Sequence, residues 1–71
     1  MKKFLYFDIH VRYSKKDGHS LFFATELEKE WNEDDVVSAA VNLGELDCED
    51  MEYVDSVDSI TKREYEEGKG I

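Results

Sequence analysis

Between Phe4 and Tyr13 the side chains alternate without a break: Leu5, Phe7, Ile9, Val11 and Tyr13 fall on one side, Tyr6, Asp8, His10 and Arg12 on the other. A helix would scatter that pattern around its axis, whereas an extended strand sorts it onto two faces, so the chain is committed here to a strand with one apolar side. The polar stretch from Ser14 to Ser20 carries an Asp17-Gly18 pair, a hairpin-turn signal, and Leu21 to Leu27 reads as a second strand. A two-residue Asp17-Gly18 loop would set Ile9 opposite Glu26 and Arg12 opposite Phe23, mixing the faces. A three-residue loop, Lys16-Asp17-Gly18 with Gly18 left-handed, pairs Tyr13 with Leu21, Val11 with Phe23, Ile9 with Thr25 and Phe7 with Leu27. That register is expected, with Asp8 opposite Glu26.

A lone hairpin is marginal in water, so its apolar face needs a cover. Asn32 is a helix N-cap followed by Glu33, Asp34 and Asp35, and Trp31 and Val36 have the spacing of a hydrophobic staple. Val36, Val37, Ala40, Val41 and Leu43 then recur at helical spacing, and Gly44 suits a left-handed C-cap. A helix from Glu33 to Leu43 is too short to stand alone and must lie on the hairpin. Met51 to Ile60 reads as a third strand, although Met51, Val54, Val57 and Ile60 recur every three residues. Thr61 and Glu64 form a capping box for a closing helix, Lys62 to Glu67. A right-handed crossover places strand three beside strand one. The expected architecture is therefore α+β: a three-stranded antiparallel sheet in order 2-1-3, one helix on one face and a short C-terminal helix. Residues 1–67 form the single domain and residues 68–71 a flexible tail.

The chain has 71 residues, 18 acidic and 9 basic, for a formal charge of -9. Such a charge repels phosphates and anionic lipid and favours basic protein partners, so neither direct nucleic-acid binding nor membrane binding is expected. The imbalance is local: residues 1–24 hold five basic and two acidic side chains, residues 25–60 one basic and thirteen acidic, and residues 61–71 three of each. A single cysteine, Cys48, rules out an internal disulfide, and cytoplasmic localisation is expected. The opening Lys2, Lys3 and apolar run imitate a signal peptide, but Asp8 and His10 interrupt it. His10, His19 and Cys48 fall in separate elements without paired ligand spacing, and the acidic loop around Asp47 lacks the EF-hand pattern. Neither a metal nor another cofactor is expected. Ser38 and Cys48 have no histidine at motif spacing and no phosphate-cradling glycine loop occurs, so the expectation is not an enzyme.

The candidate partner-binding residues are Glu28, Glu30, Trp31, Glu33, Asp34, Asp35, Asp47, Glu49 and Asp50, the carboxylates supplying charge and Trp31 an apolar anchor. A strand row Glu26, Glu28, Glu30 would space charges by roughly 6.7 Å, somewhat like phosphates on a nucleic-acid strand. The bland alternative is a solubilising surface. On the sheet's other face Phe4, Tyr6 and Phe22 form an alternative interface for a homodimer, unless the terminal helix and Tyr65 fold over them. Those aromatics beside His10 and Arg12 also suit base stacking, against which the net charge argues. In its overall character, small, acidic, poor in cysteine and polarised in charge, the chain is similar to inhibitors encoded by phages and mobile elements that block nucleic-acid-binding defence proteins. That resemblance implies a nucleic-acid mimic of the anti-CRISPR kind, seated in the basic channel of a nuclease or CRISPR effector.

Overall fold

The computed structural model describes residues 2–28 and 30–71. Its elements are β1 (Lys2–Arg12), β2 (Gly18–Glu28), α1 (Glu33–Asn42), a 3-10 helix (Cys48–Tyr53), β3 (Val54–Ile60) and α2 (Lys62–Lys69). The sheet has the expected order β2-β1-β3, antiparallel throughout.

The hairpin register departs from the expectation. Phe7 faces Phe23, Ile9 faces Leu21, Val11 faces His19 and Arg12 faces Gly18, so residues 13–17 form the turn. The Tyr13 and Ser14 N–H groups both donate to the Asp17 carbonyl, at 2.8 and 3.1 Å, closing a longer loop than the glycine suggested. Gly18 is not left-handed; among the described residues, positive φ is found at Gly44 and Gly70. Its lack of a side chain serves close approach instead: a Cβ there would sit 2.5 Å from the Val11 carbonyl oxygen. The slip spans four residues, an even number, so every side chain stays on its expected face while its partner changes. Asp8 consequently faces Phe22 and not Glu26.

Phe7, Ile9, Val11, Phe23 and Val57 of the inner sheet face pack with Val36, Val37, Ala40 and Leu46 into one buried cluster. Trp31 closes its end, its ring edge-on to Phe7 at 4.8 Å between centroids. α1 starts on a full capping box, with the Asp35 N–H donating to Asn32 Oδ1 at 2.9 Å and the Asn32 N–H to Asp35 Oδ2 at 3.1 Å. It stops one residue earlier than expected, at Asn42. Gly44 (φ 75°) then lets its own N–H reach the Val41 carbonyl and the Glu45 N–H reach that of Ala40, the paired bonds that close a helix through a left-handed residue.

The expected third strand loses its first part, because Met51, Glu52 and Tyr53 belong to the 3-10 helix. The remainder explains the three-residue repeat. β3 pairs Ser56 with His10 and Val54 with Val11, so Asp55 is an extra residue in a bulge. The bulge restores Val54 to the inner face shared with Val57, while Ile60 pairs with Tyr6 on the outer face. α2 has the predicted Thr61/Glu64 capping box but runs on to Lys69, with Gly68 inside it and Gly70 (φ 78°) as its left-handed cap. The expected tail therefore begins in helix, and Ile71 still donates its N–H to the Glu66 carbonyl at 2.9 Å.

Candidate partner-binding surfaces

The nine candidate residues are drawn from two regions of the chain. Glu28 ends β2, Glu30 and Trp31 follow, and Glu33, Asp34 and Asp35 open α1, all at the end of the hairpin away from its turn. Asp47 precedes the 3-10 helix and Glu49 and Asp50 lie within it, close to that turn. There the Tyr13 ring meets Tyr53 edge-on at 5.1 Å. Strands of 11 residues at the usual rise are about 35 Å long, so the groups lie toward opposite ends of a body 37 Å in its longest dimension.

The group near the β2 end lines a shallow groove of about 390 Å³ between the strand and α1, bordered by Glu26, Glu28, Glu30 and Asp35, with Leu27, Trp31 and Ala39 as its apolar part. Trp31 is half-buried here, anchored from behind by Phe7. β2 ends at Glu28, so Glu30 lies beyond the strand and the expected row of three is shortened to Glu26 and Glu28. Glu33 and Asp34 sit in the first turn of α1, next to the positive end of its dipole, while the Asp35 carboxylate is also engaged in the capping box.

At the turn, the Tyr13 phenol is pushed above its ordinary value, by loss of surrounding water first and then by the neighbouring carboxylates of Asp50, Asp17 and Asp47. The nearby groove of about 520 Å³ has a different lining, with His10, Arg12, Lys15, Lys16 and His19 around it. The basic part of the chain is therefore also gathered, at the hairpin turn.

The alternative aromatic interface is partly occupied by the chain itself. Tyr65 of α2 stacks at a tilt on Tyr6, 5.2 Å between centroids, and a Cβ on Gly68 would lie 2.6 Å from the Phe22 ring, so the helix backbone sits directly on that ring. Phe4 remains 55% exposed, edge-on to Tyr6. α2 thus folds over Tyr6 and Phe22 in part and leaves Phe4 open.

Sequence reasoning missed a cluster on the rest of that face. Asp8 lies opposite Asp58 across β1 and β3, and His10 Nε2 reaches both, at 2.8 Å from Asp58 Oδ2 and 3.5 Å from Asp8 Oδ2. Ser20 Oγ lies 3.4 Å from His10 Nδ1, so three strands are bridged by one imidazole. The other oxygen of Asp8 is buried and finds no hydrogen-bond partner among the described residues. Asp8 and His10, two apart on a strand, were the available signal; Asp58 could not be added without the β3 register. Among the described residues, no group of three His, Cys, Asp or Glu side chains is arranged to hold a metal ion. Cys48 is exposed, and no helix among the described residues is long and apolar enough to cross a membrane.

Compared with protein-family models, with curated proteins and with solved structures, the chain matches none of them.

Proposed function

We propose that this chain is a non-enzymatic protein-binding module that docks its acidic groove on a basic protein surface, of the kind that lines a nucleic-acid channel. The observation that supports the reading is the convergence of Glu26, Glu28, Glu30 and Asp35 around the half-buried Trp31 in one groove. Carboxylates at the rim speed encounter with a positive surface, and an aromatic side chain held by the core supplies a rigid apolar contact. A merely solubilising surface would need charge but no such anchor. In this reading the protein acts by occupying the basic surface and excluding the nucleic acid that would bind there, as an inhibitor does.

The test is binding to a basic probe, poly-lysine first and nucleic-acid-binding proteins after it, with Glu26, Glu28 and Glu30 each reversed to lysine. Asp35 is left intact because its carboxylate also holds the start of α1. Binding should weaken by about tenfold or more, and steeply with salt, while the melting temperature changes little. Binding that survives the triple reversal would reject the groove as the docking surface.

A further inference from the structure

The Tyr13 N–H bond to the Asp17 carbonyl fixes which peptide groups of the hairpin face inward. In an antiparallel ladder hydrogen-bonded and non-hydrogen-bonded pairs alternate. The register runs unbroken from Arg12 opposite Gly18 to Lys2 opposite Glu28, so the odd-numbered residues of β2 bond to β1 and the even-numbered ones turn their N–H and C=O groups away. β2 is an edge of the sheet, and among the described residues no strand pairs with that outward row. Toward the hairpin turn the row is flanked by the end of α2, where Gly68 lies on Phe22 and Lys69 Nζ comes within 3.9 Å of Glu45. Toward the far end, at Glu26 and Glu28, it opens on the acidic groove.

We infer that the Glu26–Glu28 edge takes up an extended basic segment of the partner as an added antiparallel strand. This rests on the reading above and specifies how the groove engages its ligand. The unpaired peptide groups of Glu26 and Glu28 supply the backbone bonds. Residues of the incoming strand directly opposite Glu26 and Glu28 share the outer face with those carboxylates, which selects Lys or Arg there. The intervening residues point to the inner side, toward Leu27 and Trp31, which selects apolar side chains. The ligand is therefore a strand alternating basic and apolar residues. A second copy of this chain is disfavoured on the same segment, because antiparallel pairing centred on Leu27 sets Glu26 against Glu28 of the other copy at both ends.

The probe is a synthetic peptide of alternating Lys and Val, titrated into the full chain by calorimetry alongside two backbone-methylated forms of equal charge. Peptide groups that bond to β2 belong to the residues opposite Glu26 and Glu28, which are the lysines. Methylating the lysine nitrogens should weaken binding by about tenfold or more, and methylating the valine nitrogens should leave it nearly unchanged. New hydrogen-exchange protection should appear at the Glu26 and Glu28 amides. Equal binding of both methylated forms, or no binding by any of the three peptides while poly-lysine still binds, would overturn strand addition and leave the acidic reading standing. Failure of poly-lysine itself to bind at low salt would bring down both.

Discussion

The two faces of the sheet are built from the same three strands and are covered by one helix each, yet they are held in different ways. On the inner face, Phe7 and Ile9 are fully buried beneath α1 and the turn through Leu46. On the outer face, α2 covers Tyr6 and Phe22 only partly, and the strands continue beyond it into the polar cluster of His10, Asp8 and Asp58. The inner face is closed by volume, through many apolar contacts that exclude water. The outer face is closed by fit, through one glycine and two tyrosines, and then by polar bridging. The lesson is that β1 divides its labour between alternate residues: one set makes the fold, and the other positions features that the fold does not require.

Truncation should expose that difference most strongly. Phe7→Ala is expected to cost about 3–5 kcal/mol, as for other buried aromatics, and to leave little folded protein. Tyr6→Ala, one residue away on the half-buried face, should cost about 1–2 kcal/mol by denaturant titration. Equal losses would mean that the outer face belongs to the core. Next in size is Gly68→Ala. In an exposed helix interior that change adds about 1 kcal/mol of stability, but here the new methyl meets the Phe22 ring, and overpacking of about 1–3 kcal/mol should outweigh the gain. In a Phe22→Leu background the same substitution should become stabilising; if it is stabilising in both backgrounds, α2 does not rest on that ring.

Smaller effects probe the polar parts. His10→Ala leaves Asp8 and Asp58 opposed across the strands and should cost about 0.5–1 kcal/mol, a modest amount because the bridge is partly exposed. Adding Asp58→Asn should recover most of it, and an additive double mutant would argue against the bridge. The smallest effect is on Tyr13. Its raised pKa means that the folded chain holds the phenol proton more tightly than the unfolded chain. Stability from this group is therefore complete below the ordinary tyrosine range and is lost as pH rises through the raised value. Asp50→Asn should move the phenolate absorbance titration of Tyr13 down toward the ordinary value; no movement would place the cause elsewhere.

Much of the architecture was legible because side-chain period and capping chemistry are local. The alternation in β1, the Asn32 and Thr61 caps and the glycine after α1 each announce themselves within a few residues. The hairpin partners were not legible, since a shift by four residues keeps both faces unchanged and only the loop geometry decides it. The bulge at Asp55 was hidden for a related reason: a three-residue apolar spacing fits helix and bulged strand equally well until β1 is beside it. For the candidate surface, sequence supplied the charges and Trp31 but not their grouping. Asp47, Glu49 and Asp50 share the acidic stretch with Glu33 to Asp35 and still lie toward the other end of the sheet, because α1 carries the chain between them. The alternation of β2 already put Glu26 beside Glu28; what the fold added was Trp31 and α1 next to them.

The groove at the end of β2 is the centre of the proposed function. The direct measurement is the affinity of the full chain for poly-lysine across a range of ionic strength, wild type against the Glu26→Lys, Glu28→Lys, Glu30→Lys variant. The expected result is tight, strongly salt-dependent binding by the wild type, with a drop of about tenfold or more and a shallower salt dependence in the folded variant. Identical curves for the two proteins would contradict it.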